Sequence, residues 1–437
     1  MAKVDPLEKS CRPGVPVPGA PVPVTGVGAV SSFGRDAAAL WSALLNLRSA
    51  AVPSPPSPRT LEPLGLAGLV KDPDAADTDG VDPRALRRLS RLSRHVVGSV
   101  ASAFRSVRDR DRWDGEEGGA LRDATAVVIG TSFGSSAYHF EYYEKLFRGG
   151  WKDASPLLFS ESVMNAAAGH VSILWKLRGA SLALIGGEEV GLAAIADALD
   201  RLRLGEARAV VAGGAEEYCD FVHAALRTAG LVSAEEGSPC SGSEAGTFFG
   251  EGAACIVAEA NGSSSARASG GSAVLDPAPL AWLAGCGEAR ALDGAPSIAI
   301  AVESAVRQAV ADAGAELSDV GLVVASGAGR SIDVLEAEGV SRALERSGGS
   351  RRAAILCTPK SALGEGFGFT SAAQAVVAVL ALAEGIAPPS RPQADPQRLP
   401  RGLRALPTPA RIEGPLALAV SVSSRGRAVA VAFRAER

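Results

Sequence analysis

A chain of 437 residues, 47% apolar and 21% charged, can bury one large core or two to three of ordinary size, which excludes disorder or membrane insertion as its organising theme. Fifty glycines and 27 prolines without a triplet period exclude collagen-like structure and call for many tight turns between short elements. A formal net charge of −4, with only seven lysines against 37 arginines, leaves no electrostatic footprint for nucleic acid. The six cysteines (Cys11, Cys219, Cys240, Cys255, Cys286, Cys357) show neither CxxC nor an even framework, so neither disulfides nor a metal site is expected. The N-terminus lacks a signal-like apolar core, and no run of 18 apolar residues occurs. The expectation is a cytoplasmic protein that engages no membrane.

In chain order, residues 1–22 carry charges and a proline-rich stretch that reads as a flexible tail. From Pro23 onward, short β-branched or apolar runs alternate with longer amphipathic segments, the pattern of an α/β protein with a buried sheet. Strands are expected at Val22–Val30, Ala124–Ile129, Leu182–Ile185, Ala209–Ala212 and Ala254–Ala258. The rhythm then repeats with Trp282–Gly285, Val320–Ala325, Ala353–Cys357, Leu416–Val422 and Ala428–Phe433, and with helices such as Ile298–Ala313 and Ala372–Glu384. The Gly/Ser/Ala-rich stretch Gly262–Gly271 is the expected joint, giving halves 23–261 and 262–437, and Ala50–Thr78 reads as a surface excursion.

Two short motifs are weak. Gly130-Thr-Ser-Phe-Gly134 matches a GxSxG nucleophile elbow, but of the downstream histidines (His139, His170, His223) none has a triad context, so a glycine-lined turn is expected. Gly26-Val-Gly28 lacks the remaining marks of a dinucleotide loop. More informative is Arg178 to Ala215, where the strand ending at Ile185 runs into Gly186-Gly-Glu-Glu-Val-Gly191 and then a helix. Such a turn presents its side chains at a helix N-terminus, where negative charge is favoured and a thiolate would be activated.

On these residues the sequence resembles the β-ketoacyl-synthase family of the thiolase fold, from Pro23 to the C-terminus. Val24-Thr-Gly-Val-Gly-Ala-Val-Ser-Ser-Phe-Gly34, the Gly-Gly-Ala of 213–215, Gly250-Glu-Gly-Ala253, Lys360-Ser361 and Pro388-Pro389 fall in family order. The resemblance implies an α/β fold, a five-layered α-β-α-β-α duplication, with dimers as the rule and no cofactor. It also exposes departures. Where active members carry Thr-Ala-Cys-x-Ser-Gly, this chain has Glu188 at the cysteine position. The family's His-Gly-Thr-Gly-Thr is Ser326-Gly-Ala-Gly-Arg330, its Lys-Ser-x-x-Gly-His is Lys360-Ser-Ala-Leu-Gly-Glu365, and its closing Phe-Gly-Phe-Gly-Gly is Val422-Ser-Ser-Arg-Gly426. Only Lys360 survives from the catalytic set, and no histidine at all follows His223.

A carboxylate at 188 that attacked a thioester would give a reactive mixed anhydride, with no imidazole left to polarise the thioester oxygen. The sequence is similar to a silent branch of the family, the chain length factor or β-subunit of type II polyketide synthases. That likeness implies a heterodimer with an active ketosynthase, an acyl carrier protein with its phosphopantetheine-bound chain as second partner, and an acyl tunnel whose depth sets product length. The tunnel wall is expected from Phe133, Ser136 and Phe140, spaced i, i+3, i+7 on one helical face, with Leu158 beside them; ordinary core packing is the plain alternative. An atypical β-ketoacyl synthase or malonyl-carrier-protein decarboxylase running on Glu188 and Lys360 is the alternative function. Glu188 and Glu189 also read as first-turn carboxylates; if buried, Glu188 needs Lys360, Arg330 or Arg425. Lys360 reads as a relic or as the partner of Glu365. Asn165 and His170 resemble the family's core-lining Asn-x-x-x-Gly-His segment, with His170 structural.

Overall fold

The computed structural model describes residues 19–57, 62–72, 81–107, 113, 115–238, 246–260, 278–292, 294–345, 353–391 and 399–436, the side chains of 115–117 and 294–296 excepted. Most of the expected tail, the Gly262–Gly271 joint, Cys11 and Cys240 lie outside the described residues. Val22, taken as the end of the tail, is already the first residue of a strand.

Alternating apolar residues in short β-branched runs build two sets of five strands. The first comprises β1 (Val22–Val30), β2 (Thr125–Thr131), β3 (Ser181–Ile185), β4 (Ala209–Glu216) and β5 (Gly252–Glu259), ordered β1-β5-β4-β2-β3. The second comprises β6 (Ala281–Arg290), β7 (Val320–Val324), β8 (Ala354–Cys357), β9 (Leu416–Val422) and β10 (Arg427–Arg434), ordered β6-β10-β9-β7-β8. Pairing directions match strand for strand: antiparallel, antiparallel, parallel, parallel in both sets. The duplication inferred from composition is thus a duplication of topology. Antiparallel pairing of Val22–Val24 with Ala281–Leu283 joins the sets into one sheet, and a short strand, Leu403–Arg404, lies alongside β8. All ten expected strands are present. β6 runs past the expected Gly285 because its polar end, Glu288 to Arg290, is held in register by β10 rather than by apolar composition.

Helices α1 (Arg91–Ser106), α2 (Ser136–Gly149), α3 (Pro156–Ser162), α4 (Ala166–Trp175), α5 (Val190–Arg203), α6 (Asp220–Thr228), α7 (Gly294–Asp312), α8 (Ser331–Glu345) and α9 (Phe367–Glu384) fill the connections. The period of two along each strand sorts the layers. On β2, Ala126 and Val128 face a central core shared with α5 and α9, while Val127 and Ile129 face α1 and α4. On β7, Leu322 and Val324 face the same central core, and Val323 faces α7 and α8. The result is helix, sheet, helix, sheet, helix. α9 is apolar on nearly every side and long enough to cross a membrane by composition, yet it is enclosed by both sheets and is a core helix.

The middle layer is tight. A Cβ on Gly191 of α5 or on Gly214 of β4 would lie 2.1 Å from the carbonyl oxygen of Gly368 in α9, so these positions admit only glycine. The Gly191 N–H also donates to the Ser371 hydroxyl at 3.0 Å.

Candidate functional site

The C-terminal ends of the parallel strands β2, β3, β7 and β8 converge, and the turns leaving them meet where α/β sheets ordinarily hold their sites. Leaving β3, Gly186-Gly187 allows a close turn, since a Cβ on Gly187 would lie 2.9 Å from Ser423 Cβ. Glu188 follows, 3% exposed, with Glu189 as N-cap of α5. One Glu188 carboxylate oxygen accepts from the Arg330 guanidinium at 3.0 Å, and the other accepts from the Ser424 N–H at 3.2 Å and its hydroxyl at 3.4 Å. The Ser421 hydroxyl donates to the Glu188 carbonyl. Burial acts to raise the Glu188 pKa, but its own backbone N–H, Lys360 and Arg330 together hold it below the usual range. Of the partners expected for a buried Glu188, Arg330 makes the ion pair; the 422–426 turn reaches it through Ser424.

Arg330 is aimed by the start of α8, where the Asp333 carboxylate accepts from the Gly329 N–H at 2.6 Å and the Arg330 N–H at 3.1 Å. Ser326 donates through its N–H and its hydroxyl to Glu336, at 2.9 and 3.0 Å. Burial pushes Glu336 up to about 8, aided by Asp333, and pushes Asp333 up to about 6. Leaving β8, Lys360 forms a buried ion pair with Glu365 at 3.1 Å, and the other Glu365 oxygen accepts from the Phe367 N–H at 2.8 Å and the Thr370 hydroxyl at 3.3 Å. Glu188, Arg330, Lys360 and Glu365 therefore each end on a protein partner, while one oxygen each of Glu189 and Asp333 is buried without a hydrogen bond.

No thiol or imidazole enters this cluster from the described residues. Cys255, Cys286 and Cys357 are pushed up to about 12 by burial, and Cys219 is raised as well. The histidines bond elsewhere: His95 to Glu251, His170 to Glu161, His223 to Tyr218, while His139 stacks on Tyr143. Among the described residues no group of His, Cys, Asp and Glu could hold a metal ion.

Two expectations are corrected. Phe133, Ser136 and Phe140 do not share one helical face, because α2 begins only at Ser136 and the turn through Gly134, at φ +61, turns Phe133 inward. Phe133 packs edge-to-face on Phe367, whereas Phe140 stacks on Phe221 at the surface, 38% exposed. The Ser136 hydroxyl donates to the Phe133 carbonyl, and Leu158 is buried on α3. Glu189, expected as an ordinary first-turn carboxylate, is instead buried, and burial pushes its pKa up. The reason is the close seat of this turn against Ser423 and Arg427.

Several buried acids went unread: Asp333 and Glu336 on α8, Glu216 and Glu217 at the end of β4, and Glu251, which takes Arg91, His95 and the N–H groups of Val70 and Tyr218. Asp333 and Glu336 look like a solvated helix face in sequence. For the others the only signal was their place after Gly-Gly-Ala and inside Gly-Glu-Gly-Ala.

Residues 20–261 match the family model for the β-ketoacyl synthase N-terminal domain, and residues 284–393 that for its C-terminal domain. Nodulation protein E of Rhizobium sp. (strain N33) is 28% identical over 379 residues, covering 86% of this chain and 89% of that protein. 3-Oxoacyl-[acyl-carrier-protein] synthase 2 of Vibrio harveyi is 29% identical over 389 residues, with coverage of 86% and 89%. Among solved structures, the ishigamide ketosynthase/chain length factor superposes with a TM-score of 0.80 at 20% identity, covering 95% of this chain and 99% of that one. The type II polyketide synthase complex AntDE:AntF superposes at 0.79 and 17%, again with 95% and 99% coverage. With the strand order, the five layers and the family models in agreement, the chain has the thiolase fold and belongs to the β-ketoacyl synthase family.

Proposed function

We propose that this chain is a catalytically silent ketosynthase-like subunit, a chain length factor, that pairs with an active ketosynthase and sets how far an acyl chain bound to an acyl carrier protein can grow. The observation that carries this reading is the pairing of Glu188, which by the resemblance stands where active members carry the acyl-accepting cysteine and whose carboxylate is taken up by Arg330 and Ser424. A carboxylate so paired is a poor nucleophile, and the second half of the chain contains no histidine to assist it. The alternative, a synthase or decarboxylase running on Glu188 and Lys360, needs two groups that are already committed to Arg330 and Glu365.

A second observation favours a partner. β3 is the last strand of the sheet, with Ser181 and Ile185 exposed; α4, which packs against it, exposes Ile173, and α2 and α3 expose Tyr143, Phe147 (82% exposed), Leu157 and Phe159, with Trp151 (79%) in the connection between them. An open strand edge beside an exposed apolar surface fits the docking of another subunit by strand addition and side-chain burial.

The test is to purify the chain alone and together with a ketosynthase carrying an intact cysteine and histidines. Alone it should neither take up acyl groups nor release CO2 from malonyl carrier protein, and together the two should form a 1:1 complex that extends the chain. Acyl loading or decarboxylation by the lone chain at useful rates overturns the proposal.

A further inference from the structure

Glu216, the last residue of β4, is fully buried and belongs to none of the closed pairs described above. Its carboxyl accepts from the Ser132 N–H, from the Phe133 N–H at 3.3 Å and from the Thr131 hydroxyl at 3.2 Å, and the Gly368 N–H, on backbone packed against Gly214 and Thr131, acts to lower its pKa. The three donors sit in the turn that leaves β2 in the first half of the chain; Gly368 sits in the first turn of α9, in the second half. Each side carries a phenylalanine next to the contact. The rings of Phe133 and Phe367 meet edge-to-face with centroids 5.0 Å apart at 80°.

That ring pair is over-determined. Phe367 has φ +45, a left-handed backbone unfavourable for a bulky side chain, and such conformations persist where the surroundings impose them. Here its own N–H is fixed by Glu365, and the following residue, Gly368, packs against Gly130 and Thr131 beside Glu216. On the other side, the Phe133 turn is tied to Glu216, and the Ser132 hydroxyl donates to the Gly187 carbonyl at 3.2 Å. Two rings from opposite halves of a chain have no covalent reason to stay together, and the carboxyl lying between both backbones supplies one.

We propose that Glu216 is a positioning residue for an aromatic stop: by holding the Phe133 turn and the start of α9 together it keeps Phe133 against Phe367 and fixes how deeply an acyl chain can enter this subunit. The proposal rests on the chain-length reading above. It goes beyond it in naming a residue that acts through the paired rings of Phe133 and Phe367.

The experiment uses the full chain co-expressed with an active ketosynthase, in wild-type form and as Glu216→Ala, Glu216→Gln, Phe133→Ala and the Glu216→Ala/Phe133→Ala double variant. Gln keeps an acceptor for the Ser132 N–H but sets its NH2 against the Phe133 N–H, so it loosens the turn less than Ala and serves where Ala does not fold. Carrier-bound products are sized by mass spectrometry, and crystal structures of the variant chains give the ring separation. The expected result is that Glu216→Ala parts the rings and lengthens the product by at least one two-carbon unit, that Gln does so to a smaller extent, and that the double variant adds nothing to Phe133→Ala. Rings still in contact in Glu216→Ala, or parted rings in an assembled complex with unchanged products, would overturn the proposal. A purely structural Glu216 would lower stability or yield without moving product length. Failure of the parent reading looks different: no complex forms, or Phe133→Ala leaves length unchanged, while the ring separation still reports on Glu216.

Discussion

The two halves of the chain share one topology, yet their outermost strands have opposite fates. β8, at the end of the second half, is buried along its whole length and carries the short strand Leu403–Arg404 on its outer edge. β3, its counterpart in the first half, ends the sheet with Ser181 and Ile185 exposed and Leu182 to Leu184 half-buried. Since an uncovered edge is an aggregation hazard that proteins ordinarily blunt, a difference between two copies of the same unit points to a use for the open one. The same edge is flanked by α4 with its exposed Ile173, whereas the paired charges of Glu188, Arg330, Lys360 and Glu365 lie buried at the strand ends.

The sharpest way to break this comparison is to charge both edges. Ile185→Asp with Phe147→Asp alters exposed positions, so the chain should remain folded while affinity for the ketosynthase falls on the order of 100-fold, read by size-exclusion or titration calorimetry. Ile355→Asp in β8 places an unpaired charge in the core and should cost about 4 kcal/mol or more, read by chemical denaturation. Equal behaviour at the two edges would abolish the distinction drawn between them.

A second test addresses the closed pairs. Glu188→Ala strands Arg330 against buried surroundings and should cost about 3–5 kcal/mol, whereas Glu188→Leu with Arg330→Leu should recover most of that loss. A double variant no better than the single would mean that Glu188 serves something other than this pair.

The buried acids make stability depend on pH with a definite sign. Burial is the leading cause that pushes Glu216 and Glu336 up to about 8 and Glu217 up to about 7. The folded chain therefore keeps protons that the unfolded chain releases near 4.5, and stability should fall as pH rises from about 5 to 8, by at most about 1.4 kcal/mol per pH unit for each group. Glu336→Gln should flatten that slope. On the acid side, burial lowers His223 to about 4, and in Glu251 the pull of Arg91 and His95 outweighs burial and holds the carboxyl well below its usual range. Both contribute stability that is lost as pH falls, through 6.5 toward 4 for His223 and below 4.5 for Glu251; with three raised acids opposing His223 above pH 4.5, thermal stability should peak at about pH 4 to 5. The smallest effect is expected at Lys145→Ala, which removes an exposed i,i+4 pair with Glu141 and should change stability by about 0.5 kcal/mol or less.

The frame was legible in the sequence because buried strands must write their burial in apolar residues: β1 and β9 were read to the residue, and every other expected strand overlaps its observed counterpart. The pairing of a buried Glu188 was legible too, since Arg330 was among the partners named for it. What failed was periodicity carried across a turn. The spacing of Phe133, Ser136 and Phe140 fits a helix, but Gly134 ends that pattern before the helix starts. Buried carboxylates were illegible for a different reason: Glu216, Asp333 and Glu336 are buried by long-range contacts, while locally they resemble residues that face water.

The shared middle layer locks the two halves of the molecule together. Each half lends one helix, α5 or α9, to a seam so close that glycine alone fits at Gly191 and Gly214, so neither copy can relax without dislodging the other. The loops at the strand tips carry no such mutual constraint, so side chains there can be exchanged without moving either helix, and the shape of the molecule is insulated from the chemistry at its strand ends.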